Sequence, residues 1–189
     1  MRTSLYVDGF NLYYGAVKGT PHKWLDLKAA FTAILPDPHR IIAIKYFTAG
    51  VSGKLDPRQP IRQQTYWRAV SLPLVEPVGV RRVEKVLKTE EKGSDVSLAV
   101  HLLNDAWLDA YDCPVVVSND SDLAEAMHLV RTHHPGKRLG LIFPRESGHP
   151  SRELVKHAHF VKHLGSTVLA ASQMPSAIPG TTIRKPAGW

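Results

Sequence analysis

A disulfide framework is excluded, because the chain has one cysteine, Cys113, and a lone thiol suits a reducing compartment. No apolar run approaches the roughly 18 residues that a membrane span needs. The apolar stretch after Met1 is too short for a signal-peptide core, so the expectation is a cytoplasmic protein with no membrane partner. Phosphate-binding glycine loops are missing too, since Gly9 and Gly15 fall in no such pattern. A zinc site lacks its ligands: His157 and His159 have no nearby cysteine or third partner, and read as surface histidines. Acidic residues are the minority charge, 17 against 24 Lys and Arg, leaving a formal net charge of +7. Such a surface attracts polyanions. The few acids that do occur fall in suggestive places.

What is present reads as one α/β domain. The 189 residues are enough to bury a core, and 43% hydrophobic content argues against global disorder. Strand-forming runs at Ser4 to Val7, Arg40 to Thr48, Pro114 to Ser118, Leu139 to Phe143 and His159 to Leu164 alternate with helical segments. The helices are expected at Asn11 to Val17, Leu25 to Leu35, Ile61 to Val70, Ser94 to Asp109, Leu123 to Val130 and near Arg152, and Leu72 to Val86 reads as extended. Residues 173–189, with their Pro and Gly, read as an irregular tail behind a domain of residues 1–172. Alternating strands and helices imply right-handed crossovers: a Rossmann-like three-layer α/β/α sandwich around a mostly parallel sheet. In such sheets ligands bind beyond the carboxyl ends of the strands.

Asp8 follows the first strand, and Asp120 and Asp122 follow the run Pro114 to Ser118, so all three are expected at that edge. Helix capping is the plain alternative, and Asp122 with Glu125 has the capping-box spacing. Asp95 is more informative. It lies one turn before Leu98 and Ala99, on the apolar side of its helix, where a carboxylate is costly without compensation. Two unpaired carboxylates about 4 Å apart repel by roughly 4 kcal/mol at an effective dielectric near 20, and a divalent cation removes that penalty. Oxygen-only ligands favour Mg²⁺ or Mn²⁺, which polarise a phosphoryl group and activate water. Arg81, Arg82, Lys85, Lys88 and Lys92 precede Asp95 and form a candidate track for an RNA backbone, or simply a solvated strand face.

The segment Tyr6-Val7-Asp8-Gly9-Phe10-Asn11-Leu12 resembles the opening motif of NYN domains, the LabA-like branch of the PIN-like nuclease superfamily. Glu91-Lys92-Gly93-Ser94-Asp95-Val96 and Val116-Val117-Ser118-Asn119-Asp120-Ser121-Asp122-Leu123 resemble its two later acidic motifs, in the same order. The ending from Ile183 to Trp189 also resembles endings seen in this branch. The resemblance implies a PIN-like fold and a metal-dependent ribonuclease. Asp8, Asp95 and Asp120 would be metal-site acids and Asp122 a fourth, with Asn11 and Ser118 orienting them. It implies Mg²⁺ or Mn²⁺ as cofactor and RNA as substrate, and leaves a homodimer open. Two positions depart from the pattern. Asn119 replaces a usual Gly, which suggests a left-handed backbone there, and His101 replaces a frequent Asp. Two other readings stay open: a nucleic-acid-binding regulatory module with a vestigial acidic site, and a phosphatase with Asp8 as nucleophile. The second lacks the paired acid of such enzymes, because Phe10 stands there.

Overall fold

The computed structural model describes residues 1–72, 82–88 and 93–189, with 82–88 described by backbone alone. Six strands, β1 (Arg2–Asp8), β2 (Arg40–Ala49), β3 (Arg82–Lys88), β4 (Cys113–Val117), β5 (Gly140–Phe143) and β6 (Phe160–His163), form one sheet in the order β3-β2-β1-β4-β5-β6. Every pairing is parallel. The helices are α1 (Gly9–Leu12), which runs on into a π-helical turn at Tyr13–Val17, then α2 (Leu27–Ile34), α3 (Gln59–Val70), α4 (Ser94–Trp107), α5 (Ala124–His133), α6 (Arg152–His157) and α7 (Ser166–Ala171). A short 3₁₀ turn, Ser121–Leu123, leads into α5.

Two apolar cores explain the buried strands. On one face Leu5, Val7, Val115 and Val117 pack with residues of α2, α3 and α7. On the other, Tyr6 and Val116 pack with Leu98 and Leu102 of α4 and Met127 and Val130 of α5. A central strand covered on both sides reads as a continuous apolar run, which is what Cys113–Val117 is. The strand order reverses between β1 and β4, the place where open α/β sheets form their crevice. The ends of β1 and β4 therefore carry Asp8 and the Ser118–Asp122 segment to the same crevice.

The structure adds to the sequence reading in places. α7 was not anticipated, because a six-residue Ser-Thr-Val-Leu-Ala-Ala segment is too short to show a period. Residues 173–189 hold no helix and only isolated bridges, Leu25 with Gln173 and Ala177 with Arg184. They pack nonetheless: Met174, Ile178 and Ile183 are buried, and the Trp24 indole donates to the Pro175 carbonyl at 2.8 Å. Of the expected extended stretch Leu72 to Val86, residues 73–81 lie outside the described ones. No helix among the described residues is long and apolar enough to cross a membrane.

Candidate active site

Asp8 ends β1 and caps α1. Its Oδ1 accepts from the backbone amides of Phe10 and Asn11, both at 3.0 Å, and its Oδ2 from Asn11 Nδ2 at 2.7 Å and Ser118 Oγ at 3.0 Å. The side chain is thus buried, 7% exposed, with four donors on a carboxylate that has about four acceptor positions. The turn that allows this is tight. A Cβ on Gly9 would lie 2.7 Å from the Tyr46 ring and 2.9 Å from the Phe47 carbonyl, so only glycine fits between β1 and β2.

The loop after β4 is tied to Asp8. Ser118, fully buried, donates to Asp8 and accepts from the Asp120 amide at 3.0 Å. Asn11 Oδ1 accepts from the Asn119 amide at 3.2 Å, and Asn119 Oδ1 accepts from the Ser151 amide, ahead of α6, at 2.7 Å. Asn119 does not take the left-handed backbone that its place in the motif suggested; among the described residues other than glycine, Asp109 alone has positive φ. Its side-chain carbonyl is used instead, as a clamp between two loops, and a glycine offers no such group. Asn11 and Ser118 thus tie Asp8 to the β4 loop.

Asp95, Asp120 and Asp122 come together. Each offers a carboxylate oxygen, and these oxygens lie within 4.8 Å of one another. Asp95 and Asp120 are half-buried and Asp122 is exposed. Asp95 sits in the first turn of α4, ahead of the buried Leu98 and Leu102, as the helical period indicated. Asp120 precedes the 3₁₀ turn and caps it, its Oδ1 accepting from the Asp122 amide at 3.1 Å. The capping-box pairing of Asp122 with Glu125 is not formed, because the cap falls on Asp120 and helix proper starts only at Ala124. Asp8 is not one of this group; it is joined to Asp120 through Ser118.

His101, on α4, packs its ring 5.5 Å from that of Phe47 and is not one of the grouped residues. His159 Nδ1 accepts from the Leu139 amide at 3.0 Å, and His157 lies against His128, so neither belongs to a metal-ligating group among the described residues. Arg81 and Lys92 lie outside the described residues; Arg82, Lys85 and Lys88 are on the edge strand β3, and their side chains lie outside them too. Sequence reasoning passed over one buried acid. Asp105, 7% exposed, accepts from the Tyr6 hydroxyl at 2.5 Å and pairs with Lys45 at 2.7 Å. Its spacing from Leu98 and Leu102 on the apolar side of α4 was the available signal. It anchors α4 to β1 and β2 and lies away from the carboxylate group.

Similarity to known proteins extends along the whole chain. A curated relative, 6-hydroxy-3-succinoylpyridine 3-monooxygenase HspA of Pseudomonas putida, is 33% identical over an alignment of 237 positions that covers 100% of this chain and 75% of the relative. A crystal structure of a Vibrio parahaemolyticus protein of unknown function has the same fold, with a TM-score of 0.58, 18% identity, and coverage of 87% of this chain and 93% of that one. The NYN domain matches residues 2–165, from the start of β1 to beyond β6, with Asp8, Asp95, Asp120 and Asp122 inside the match. The chain belongs to the NYN domain family, within the PIN-like nuclease superfamily.

Proposed function

We propose that this protein is a Mg²⁺- or Mn²⁺-dependent ribonuclease that hydrolyses phosphodiester bonds at Asp95, Asp120 and Asp122. The observation that carries the reading is the convergence of three carboxylate oxygens within 4.8 Å at the crevice between β1 and β4. Three acids this close repel one another, and a hard divalent cation offsets the repulsion. The donor set fits such an ion, since all three ligands are oxygens and no sulfur or imidazole accompanies them. When bound, the ion supplies Lewis acidity toward a phosphoryl oxygen and lowers the cost of deprotonating water.

The chain's own residues supply the geometry. Asp95, at the amino end of α4, and Asp120, on the β4 loop, hold the two half-buried sides of the site. Asp122 faces solvent and accepts the proton of the water that attacks phosphorus in line. Asp8 is a positioning residue, fixing the β4 loop through Ser118 and the helix turn through Asn11. Its four hydrogen bonds and its burial argue against the phosphatase alternative, in which its oxygen must attack phosphorus. Arg81, Arg82, Lys85, Lys88 and Lys92 would lead the RNA backbone to the acids, a role favoured by the +7 charge. The LabA-like branch, a cytoplasmic location and a homodimer belong to the same proposal.

The curated relative favours a second reading. Its name describes oxygenation of a substituted pyridine, and its identity to this chain is 33% over the full length. Under that reading the crevice hydroxylates a small nitrogen heterocycle with dioxygen and an external electron donor. One pair of assays separates the two. The ribonuclease reading expects a labelled single-stranded RNA to be cut with Mn²⁺, cutting to stop in EDTA and to return with excess Mn²⁺. The monooxygenase reading expects intact RNA and oxygen uptake that requires a reduced nicotinamide or flavin. A protein that binds RNA but shows neither activity is the regulatory module.

A further inference from the structure

A cavity of about 300 Å³ has none of the three acids in its lining, and the site described above makes no use of it. It is bounded by the turn from Gly9 to Val17, by the residues after β2, by α3 and by Trp189. The volume is at the low end for ligand pockets, enough for one small ring system. Tyr13, Tyr46, Tyr66, Trp67 and Trp189 line it. The Tyr66 hydroxyl is committed to the fold, donating to the Leu25 carbonyl at 3.0 Å. Tyr46 is different. It is 6% exposed, it lines the cavity, and its hydroxyl has no hydrogen-bond partner among the described residues. A hydroxyl that the fold leaves uncommitted can donate to an acceptor on a ligand in the cavity. Burial first, and then the negative charge of Asp8, hold the Tyr46 phenol protonated, so that it acts as a donor. Lys23 also lines the cavity and forms no ion pair among the described residues, whereas Arg62 is held by Asp56.

We propose that this cavity binds one planar heteroaromatic ring between its aromatic walls, with a ring acceptor hydrogen-bonded to Tyr46 and an anionic substituent paired with Lys23. Aromatic walls grip any flat π-face, and a hydroxyl donor orients it. Two sources carry that chemistry. One is a base of a bound RNA strand, with its phosphate toward Lys23; this source rests on the ribonuclease reading. The other is a free heteroaromatic acid.

The test is a fluorescence titration of the full chain in EDTA, where no cleavage occurs, with uridine 5′-monophosphate, pyridine-3-carboxylate and ribose 5-phosphate. Both ring-bearing probes should quench tryptophan fluorescence saturably, and ribose 5-phosphate should not. Tyr46→Phe should weaken the ring probes about five- to tenfold, the effect of one neutral hydrogen bond, and should melt no lower than wild type. Tighter binding of the nucleotide assigns the cavity to a strand base, and tighter binding of the pyridine to a free ligand. Equal binding of ribose 5-phosphate, absence of saturation, or unchanged affinity in Tyr46→Phe overturns the proposal. If that variant fails to fold, the wild-type comparison of ring-bearing and ring-less probes decides alone. A protein that binds the ring but never cuts RNA keeps the cavity and loses the ribonuclease reading; one that cuts RNA without binding the ring does the reverse.

Discussion

Asp120→Asn removes one charge from the acid group at nearly constant volume. In the metal-free protein three carboxylate oxygens lie within 4.8 Å of one another, and each pair at that distance repels by about 3 kcal/mol at an effective dielectric near 20. The pair with exposed Asp122 is screened to about 1 kcal/mol or less. The cap survives, because the asparagine side-chain oxygen still accepts from the Asp122 amide and Asn is as good a cap as Asp. The net expectation is a metal-free variant more stable by about 1–2 kcal/mol, a melting temperature about 2–8 °C higher for a chain of this size. Mg²⁺ at a hundredfold over its Kd stabilises the wild type by about 2.7 kcal/mol, and the variant much less, having lost one of three ligands. RNA hydrolysis should fall by about 10²-fold or more. The assay is four melting curves, two proteins with EDTA and with Mg²⁺. A metal-free variant that melts lower than wild type, with equal Mg²⁺ shifts in both proteins, would mean that Asp120 is a cap and nothing more.

Gly9→Ala should destabilise the fold by about 1–3 kcal/mol, because its Cβ meets the Tyr46 ring and the Phe47 carbonyl below 3 Å; chemical denaturation reads this. Burial pushes the Cys113 thiol up to about 12, so at pH 8 it should resist alkylation in the native protein and react only on unfolding. His39 is held below the ordinary imidazole range, first by burial and then by Arg138. Its neutral form is therefore the folded one: stability is full above about pH 6.5, falls as pH drops below that, and should fall less steeply in His39→Gln. RNA binding should weaken with salt by a slope of about −0.7 per phosphate contacted, and Lys88→Ala with Lys92→Ala should flatten it. An unchanged slope places the RNA elsewhere.

The sheet was legible because a buried parallel strand leaves a plain mark. Pro114 to Ser118 is apolar at every position from Pro114 to Val117, and the structure buries all of Cys113–Val117. Asp95 was legible for the opposite reason, as an acid on the apolar side of a helix whose period is clear from Leu98 and Leu102. The clamp at Asn119 was not, since a hydrogen bond to Ser151 spans 32 residues and has no local signature. Nor was the packing of residues 173–189, because Met174, Ile178 and Ile183 follow neither a strand nor a helix period. Tyr46 is hidden by its own strand. β2 is apolar almost throughout, so alternation does not reveal which side chain meets a cavity. The hydrogen bonds of Asp8 are hidden too, because the motif names the residue and not its four donors.

Crystals soaked in Mn²⁺ test the central claim most directly, through an anomalous difference map. The account predicts a peak between Asp95, Asp120 and Asp122 in the wild type, weakened or lost in Asp120→Asn, with Asp8 still bonded to Ser118 and Asn11. No peak at these three carboxylates under saturating Mn²⁺, or a peak held by other residues, would contradict it.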